Sequence, residues 1–207
     1  MPEGERIPAL VLGHSRPRYA ERVSPDFFSI PVRAGIDLRL LEERHAQEAF
    51  WLVDRNRDYL SRWLHWVQTT RTPADTLSFI RLCQRESVTN VALALGIFVD
   101  GSYSGQIGYH HHDWQNKKSE IGYWLAERLQ GRGIVTDCCR ALLDHGFDRL
   151  GLNRVEIRCA VGNEPSRRVP ERLGFVLEGI ARGAHLFGER FVDVLVFAQL
   201  AADRRSM

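Results

Sequence analysis

The chain has 207 residues, 44% hydrophobic and 26% charged, with a formal net charge of +2 at pH 7. Length and composition fit one globular domain with a buried core, and exclude a disordered or fibrous chain. The near-neutral balance, with arginines scattered rather than in blocks, gives no basis for direct nucleic-acid binding.

Four cysteines, Cys83, Cys138, Cys139 and Cys159, form no C-x-x-C pair, so they read as small apolar fillers in a reduced, cytoplasmic setting. No apolar run approaches the roughly 18 residues that span a membrane. Leu10-Val11-Leu12 is too short for a secretory segment.

Residues 1–33 carry five of the eight prolines and no sustained periodicity, which predicts an irregular arm. Phe27-Phe28-Ser29-Ile30 can still pack on the domain. The domain itself is expected over residues 34–202, followed by a short tail at 203–207. Leu38 and Leu40 begin it as a strand. Ala46, Ala49, Phe50 and Val53 then recur at helical spacing, and Tyr59, Leu60, Trp63, Leu64 and Trp66 form a second helical piece rich in aromatics. Thr72-Pro73-Ala74-Asp75 reads as a helix start, with a capping Thr, a first-turn Pro and an acid three residues past the cap. That helix is expected to run to about residue 87.

The period then falls to two: Val91, Leu93, Leu95, Ile97 and Val99 alternate along a strand that ends in the hairpin signal Asp100-Gly101. Strands are predicted at 103–112 and 119–126, around a polar loop at 113–118. A helix over 133–150 follows, with Ile134, Cys138 and Leu142 on one stripe. Next is a strand with Val155, Ile157, Cys159 and Val161 on one face and Arg154, Glu156 and Arg158 on the other. A short helix at 164–173 and strands at 175–182 and 190–199 complete an α/β domain with a mixed sheet of seven strands.

The most informative stretch is Arg128-Leu129-Gln130-Gly131-Arg132-Gly133-Ile134, between a predicted strand and an amphipathic helix. Two glycines one residue apart let the backbone turn with its N–H groups pointing together, and the helix that follows adds the positive end of its dipole. This is either a tight turn and nothing more, or a pyrophosphate site. A nucleotide-hydrolysing P-loop is excluded by the absence of Gly-x-x-x-x-Gly-Lys, and a dinucleotide fingerprint by Thr136 and Asp137 where a third glycine is needed.

Context decides between the two. Arg-x-x-Gly-x-Gly resembles the acetyl-CoA pyrophosphate motif of GNAT acetyltransferases. Further on, Asn163-Glu164-Pro165-Ser166, followed by Leu173-Gly174-Phe175, resembles that family's second hallmark. Upstream, Ser119-Glu120-Ile121-Gly122-Tyr123-Trp124-Leu125 is similar to the strand that enters the loop. Leu38-Arg39-Leu40-Leu41-Glu42-Glu43-Arg44-His45-Ala46 and the Trp63–Val67 segment narrow the resemblance to the ribosomal-protein-serine (Rim-type) branch, over roughly residues 35–200.

The resemblance implies a GNAT fold, in which a mixed, mostly antiparallel sheet flanked by helices contains two splayed central strands. It implies acetyl-CoA as co-substrate, with the backbone at Trp124, Leu125 and Ala126 holding the pantetheine arm and one N–H there stabilising the oxyanion. Arg128, Gln130, Gly131, Arg132, Gly133, Ile134 and Val135 would cradle the pyrophosphate. Asn163 would touch the arm and Ser166 would lie near the departing sulfur. Read alone, Asn163 is a helix cap and Ser166 a first-turn residue. No Gly-x-Ser-x-Gly elbow marks Ser166 as a nucleophile. Pro170 is expected to be tolerated by a helix that starts near Ser166 or by a local irregularity.

Glu120 and Glu178 are the candidate bases, and Glu120 is preferred because it lies just upstream of the acetyl site; either also reads as an ordinary surface carboxylate. His110 and His112 are expected on one face of a strand, and adjacent histidines without Cys or clustered acids make a poor zinc site, so no metal is expected. His110, His112 and Trp114, with Trp63 and Trp66, are assigned to the acceptor side, the alternatives being a surface role for the histidines and core packing for Trp63 and Trp66. The acceptor implied is an amine: a protein N-terminus, with a small amine (antibiotic, polyamine or aminoacyl-nucleotide) as the rival. A non-catalytic acyl-CoA sensor is the alternative class. Rim-type proteins also form homodimers, for which the last strands are candidates.

Overall fold

The structure, a computed structural model, describes residues 28–206; the expected arm at 1–27 lies outside the described residues. The elements are β1 (Ser29–Arg33), β2 (Ile36–Leu40), α1 (Ala46–Arg55), α2 (Arg57–Leu60), α3 (Pro73–Val88), β3 (Leu93–Val99), β4 (Ser102–Asp113), β5 (Lys118–Leu125), α4 (Ile134–Asp144), β6 (Arg154–Ala160), α5 (Glu164–Arg172), β7 (Val176–Phe187) and β8 (Arg190–Leu200). The sheet has eight strands in the order β1-β2-β3-β4-β5-β6-β8-β7, not seven.

The extra strand is β1, which belongs to the sheet and not to an irregular arm. Ile30 and Val32 alternate with exposed neighbours and pack on the core, and β1 pairs antiparallel with β2. Pro31 is compatible with a strand because β1 lies at the sheet edge, where a missing N–H leaves no neighbour unpaired.

Most of the predicted periodicities are realised. Thr72 accepts from Asp75 N–H while the Asp75 carboxylate accepts from Thr72 N–H, so α3 begins with a complete capping box. In α4, Ile134, Cys138 and Leu142 are all buried, but the predicted single helix passes into a π turn at His145–Arg149. Val155, Ile157 and Cys159 point into the core, whereas Val161 lies beyond β6 and is exposed. The last two strands are longer than expected, and their far ends reach the α2 region: Trp63 meets Phe187 at 6.5 Å and His65 meets His185 at 5.6 Å.

Helices α1 and α3 pack together on one face of the sheet and α4 and α5 on the other. Tyr109 of β4 shows the second contact: buried, it donates its hydroxyl to Leu142 O of α4 at 2.7 Å, satisfying a group that burial would otherwise penalise.

One junction positions the site. β5 and β6 are parallel neighbours, yet they pair only at Lys118–Arg154, Ser119–Val155 and Glu120–Glu156. Beyond Glu120 they diverge, so the edge of β5 facing β6 has no partner strand. An unpaired strand edge is a row of donors and acceptors ready for an extended ligand.

Candidate active site

A cavity of about 340 Å³ opens at this divergence. Its floor is Tyr123, Trp124 and Leu125 of β5, and its far side is Asn163, Ser166 and Val169 at the start of α5. The turn 130–133 and the first residues of α4 close one end beside Tyr59, whose hydroxyl accepts from Gln130 Nε2, and Leu60 and Trp63 also line the cavity.

Gly131 and Gly133 sit at φ +72° and +73°, backbone that residues with a Cβ adopt only with strain. A Cβ built on Gly131 meets nothing within 4 Å, so the turn presents bare backbone to open space. Directly after it, α4 presents its unpaired N–H groups and the positive end of its dipole. The fit to a pyrophosphate is good, because backbone amides, helix end and the neighbouring Arg132 converge without a blocking side chain. From behind, Arg33 of β1 donates to Arg132 O at 3.1 Å and pairs with Asp137 of α4 at 3.1 Å. Strand β1 thereby braces the loop, a support that proline-rich composition gave no sign of.

Along β5, the backbone itself selects what faces the cavity. Ala126 N–H donates to Ser104 O of β4, so it is committed to the sheet. The Trp124 carbonyl lies against Gly105 of β4, where a built Cβ would come within 2.3 Å of it. In a trans peptide the next N–H points the opposite way, so Leu125 N–H is directed toward the gap. Of the three expected positions, Trp124 and Leu125 line the cavity, whereas Ala126 is fully buried behind it. Gln130, Arg132, Ile134 and Val135 also line it, as expected, but Arg128 does not: it is an exposed residue on the turn Glu127–Leu129.

Asn163 is a helix cap that also faces the cavity. Its Oδ1 caps α5 by accepting from Ser166 N–H at 3.3 Å, and the residue still borders the cavity. Ser166 borders it too, with its hydroxyl 3.3 Å from the Tyr123 hydroxyl. Tyr123 was not singled out by sequence, because strand alternation groups it with core residues. Helix α5 runs straight through Pro170, against the expectation of a later start or an irregular turn. Cys159 lies beside Ser166, but burial pushes its thiol up to about 11, so it is protonated and a poor nucleophile at neutral pH.

The two candidate bases are separated by their surroundings. Glu178 is held at both oxygens by Arg154, with Nη1 to Oε1 at 2.7 Å, and this pairing lowers its pKa. It lies on β7, away from the cavity. Glu120 does not line the cavity either; it lies on β5 four residues before Trp124, about 13 Å back at ordinary strand rise. Its surroundings differ, however: burial raises its pKa, partly offset by Arg158 at 3.6 Å and reinforced by the Glu156 carboxylate. His110 stands opposite Glu120 in the β4–β5 register, its ring over Gly122 on the way to Trp124. That ring is reachable by solvent yet densely surrounded, and the desolvation lowers its pKa.

The histidine run does not alternate as a plain strand would. His111 takes φ +41° at a register shift between His110 and Asp113, a bulge that breaks the period of two. His112 is buried between Tyr109 and Trp114, and burial pushes its pKa down to about 4. Trp114 donates its indole N–H to Asn90 O at 2.7 Å, pinning the β4–β5 loop. Neither His112 nor Trp114 reaches the cavity. Trp63 does line it, and Trp66 forms a second layer, its ring 6.0 Å from that of Trp124. Among the described residues no group of three His, Cys, Asp or Glu is placed to hold a metal ion.

Comparison with known proteins agrees with this geometry. The family described as acetyltransferase (GNAT) domain matches residues 36–176. YdaF of Bacillus subtilis (strain 168), assigned provisionally as a ribosomal N-acetyltransferase, is 41% identical over 84% of this chain and 95% of its own length. The ribosomal-protein-serine acetyltransferase of Escherichia coli (strain K12) is 30% identical over 83% of this chain and 96% of its own. Among solved structures, RimL, a ribosomal L7/L12 α-N-protein acetyltransferase in complex with coenzyme A, superposes with a TM-score of 0.80 at 30% identity, covering 84% of this chain and 98% of that one. The chain belongs to the GNAT family of acetyl-CoA-dependent N-acetyltransferases.

Proposed function

We propose that the acceptor is the α-amino group of a protein N-terminus, acetylated by direct attack of the amine on the thioester. The observation that carries the direct route is the early end of the β5–β6 pairing beside the glycine turn, which leaves a backbone edge to hold an extended arm without a nucleophile beside it. Ser166 is hydrogen-bonded to Tyr123 and Cys159 is protonated, so neither is suited to form an acyl-enzyme. The protein acceptor is supported by the Escherichia coli relative, which is named for a ribosomal-protein serine. The chemistry is undemanding for such a substrate: an α-amino group with a pKa of about 8 is roughly one-tenth neutral at pH 7, whereas a lysine at about 10.4 is far worse off.

In this reading the turn 131–134 binds the pyrophosphate and Leu125 N–H stabilises the oxyanion as the C–N bond forms. The C–S bond breaks with its electron pair on sulfur, beside the Ser166 hydroxyl. The proton lost by the amine reaches Glu120 through water, since the carboxylate stands too far back for direct contact.

The test is coenzyme A release with three acceptors: a peptide with a free N-terminal Ser, the same peptide N-blocked but carrying Lys, and a panel of polyamines and aminoacyl-nucleotides. The free N-terminus is expected to give the highest kcat/KM. A preference for the small amines would keep the transferase and remove the protein acceptor.

We also infer a homodimer through the edge strand β7 and its hairpin, supported by the exposure of Val176 (58%), Ile180 (56%) and Phe191 (71%). Light scattering is expected to give twice the chain mass, reduced to one by Ile180→Lys; a monomeric wild type would remove the inference. The four buried, unpaired cysteines support a reduced cytoplasmic setting, and no helix among the described residues is long and apolar enough to cross a membrane.

A further inference from the structure

Tyr123 makes two contacts with a single residue. Its hydroxyl donates to Ser166 O at 3.0 Å and lies 3.3 Å from Ser166 Oγ. The first contact has an identifiable cause. In an α-helix the carbonyl of residue 166 would accept from the N–H of residue 170, but residue 170 is a proline inside α5 and has no N–H. The partly buried carbonyl is therefore left for another donor, and Tyr123 reaches it from β5 across the gap between the splayed strands.

The second contact follows from the first. With the tyrosine proton committed to the carbonyl, the phenol oxygen offers only lone pairs to Ser166, so the serine hydroxyl donates to it. Both ends of Ser166, backbone and side chain, are tied to one rigid aromatic residue. A free serine on the first turn of a helix samples its rotamers and can turn back to its own backbone. This one is held at the cavity wall.

We propose that Tyr123 is a positioning residue that locks the Ser166 hydroxyl at the gap between β5 and β6, and that Pro170 makes the lock possible by freeing the Ser166 carbonyl. The inference rests on the reading that Ser166 hydrogen-bonds the departing sulfur. At 3.3 Å the serine-to-tyrosine bond is long and weak, so a single rotation lets the same hydroxyl donate to a nearby thiolate, which is the stronger acceptor. Tyr123 itself is not the donor to sulfur, because its one proton is committed to the Ser166 carbonyl.

The two roles of the Tyr123 hydroxyl separate experimentally, because Pro170→Ala restores an N–H to the Ser166 carbonyl, so that in the double variant with Tyr123→Phe the carbonyl is satisfied while the serine hydroxyl still lacks its tyrosine partner. Five variants are compared: Tyr123→Phe, Pro170→Ala, these two together, Ser166→Ala, and Ser166→Ala combined with Tyr123→Phe. The readouts are the melting temperature without ligand, and kcat and KM for acetyl-CoA with the best acceptor.

Tyr123→Phe is expected to lower the melting temperature by about 2–4 °C, the shift for one lost hydrogen bond in a chain of this size. It is also expected to lower kcat about fivefold with KM for acetyl-CoA unchanged. The double variant with Pro170→Ala recovers the melting temperature but not kcat. Ser166→Ala lowers kcat about tenfold, and Tyr123→Phe added to it causes no further fall.

Recovery of kcat together with the melting temperature in the double variant would overturn the proposal, since Tyr123 would then only satisfy a carbonyl. Normal kcat in Tyr123→Phe beside a slow Ser166→Ala would also overturn it while leaving the role of Ser166 intact. Normal kcat in Ser166→Ala would remove both. Should Tyr123→Phe alone not fold, the double variant, in which the carbonyl has its partner, carries the kcat comparison.

Discussion

Gly131→Glu is expected to weaken acetyl-CoA binding by at least about a hundredfold while the chain stays folded. Two effects add. The backbone at this position has φ +72°, so any side chain costs about 1–2 kcal/mol or forces the turn to shift its N–H groups. A Cβ there meets nothing within 4 Å, so the new carboxylate projects freely at the cavity lip, onto the space a pyrophosphate would take. Two like charges about 5 Å apart at an effective dielectric of about 20 repel by about 3 kcal/mol, and salt reduces this only in part. The control is Gly101→Glu in the β3–β4 turn, which has φ +79° and equally open surroundings but does not line the cavity. It carries the same backbone strain, so both variants should melt at similarly lowered temperatures. Titration calorimetry with acetyl-CoA should then separate them: wild-type affinity for Gly101→Glu, and little or no heat for Gly131→Glu. Equal affinities would mean that the turn is only a turn.

What could be read from the sequence, and what could not, divides by the range of the interaction. Gly131 and Gly133 were legible because a left-handed backbone is a local demand that glycine answers. Thr72 with Asp75, and Asn163 with Ser166, were legible for the same reason: a cap and its partner lie within one turn. The strand at Ile30 and Val32 was hidden by Pro31, which is harmless only because the strand lies at an edge, and edge position is a property of the finished sheet. The divergence of β5 and β6 leaves no trace in either strand, since both keep ordinary alternation; only the family resemblance anticipated it. The His110–His112 pattern failed at one residue, where the φ of His111 inserts a bulge that no residue type announces. Tyr123 was missed because its partner is a carbonyl freed by a proline on another element.

The choice between Glu120 and Glu178 belongs to the same class. Nothing near Glu178 in sequence shows that Arg154 will grip both of its oxygens, and nothing near Glu120 shows that it will face Glu156. Three carboxylates and two arginines form one ladder across β5, β6 and β7, with Glu156 paired to both Arg154 and Arg158. Within the ladder, Arg154 grips both oxygens of Glu178 while giving a single contact to Glu156, whereas Glu120 receives only the longer, shared contact of Arg158. The pKa of Glu178 therefore falls and that of Glu120 rises.

This asymmetry sets the second large effect. Glu120→Gln is expected to lower kcat/KM about a hundredfold near neutral pH, the ordinary contribution of a base. The wild-type rate should fall as pH drops through the raised pKa of Glu120, and the variant should lose that acidic limb, keeping only the rise toward the α-amino pKa of about 8. Stability should move the other way. A carboxyl whose folded pKa exceeds its unfolded value binds more protons when folded, so its contribution is greatest at low pH and is lost as pH rises through the folded pKa. At neutral pH its charge is a liability, and the uncharged Gln should melt no lower than wild type. Glu178→Gln has the opposite signs: its depressed pKa supplies stability that is present above the unfolded value and lost as pH falls, so the variant should melt lower and keep its kcat/KM. A paired measurement of pH–rate profiles and melting curves on both variants decides the assignment. If Glu178→Gln loses the acidic limb instead, the base is Glu178. If both variants keep it, the amine gives its proton to solvent and the charged ladder serves only to hold the sheet face together.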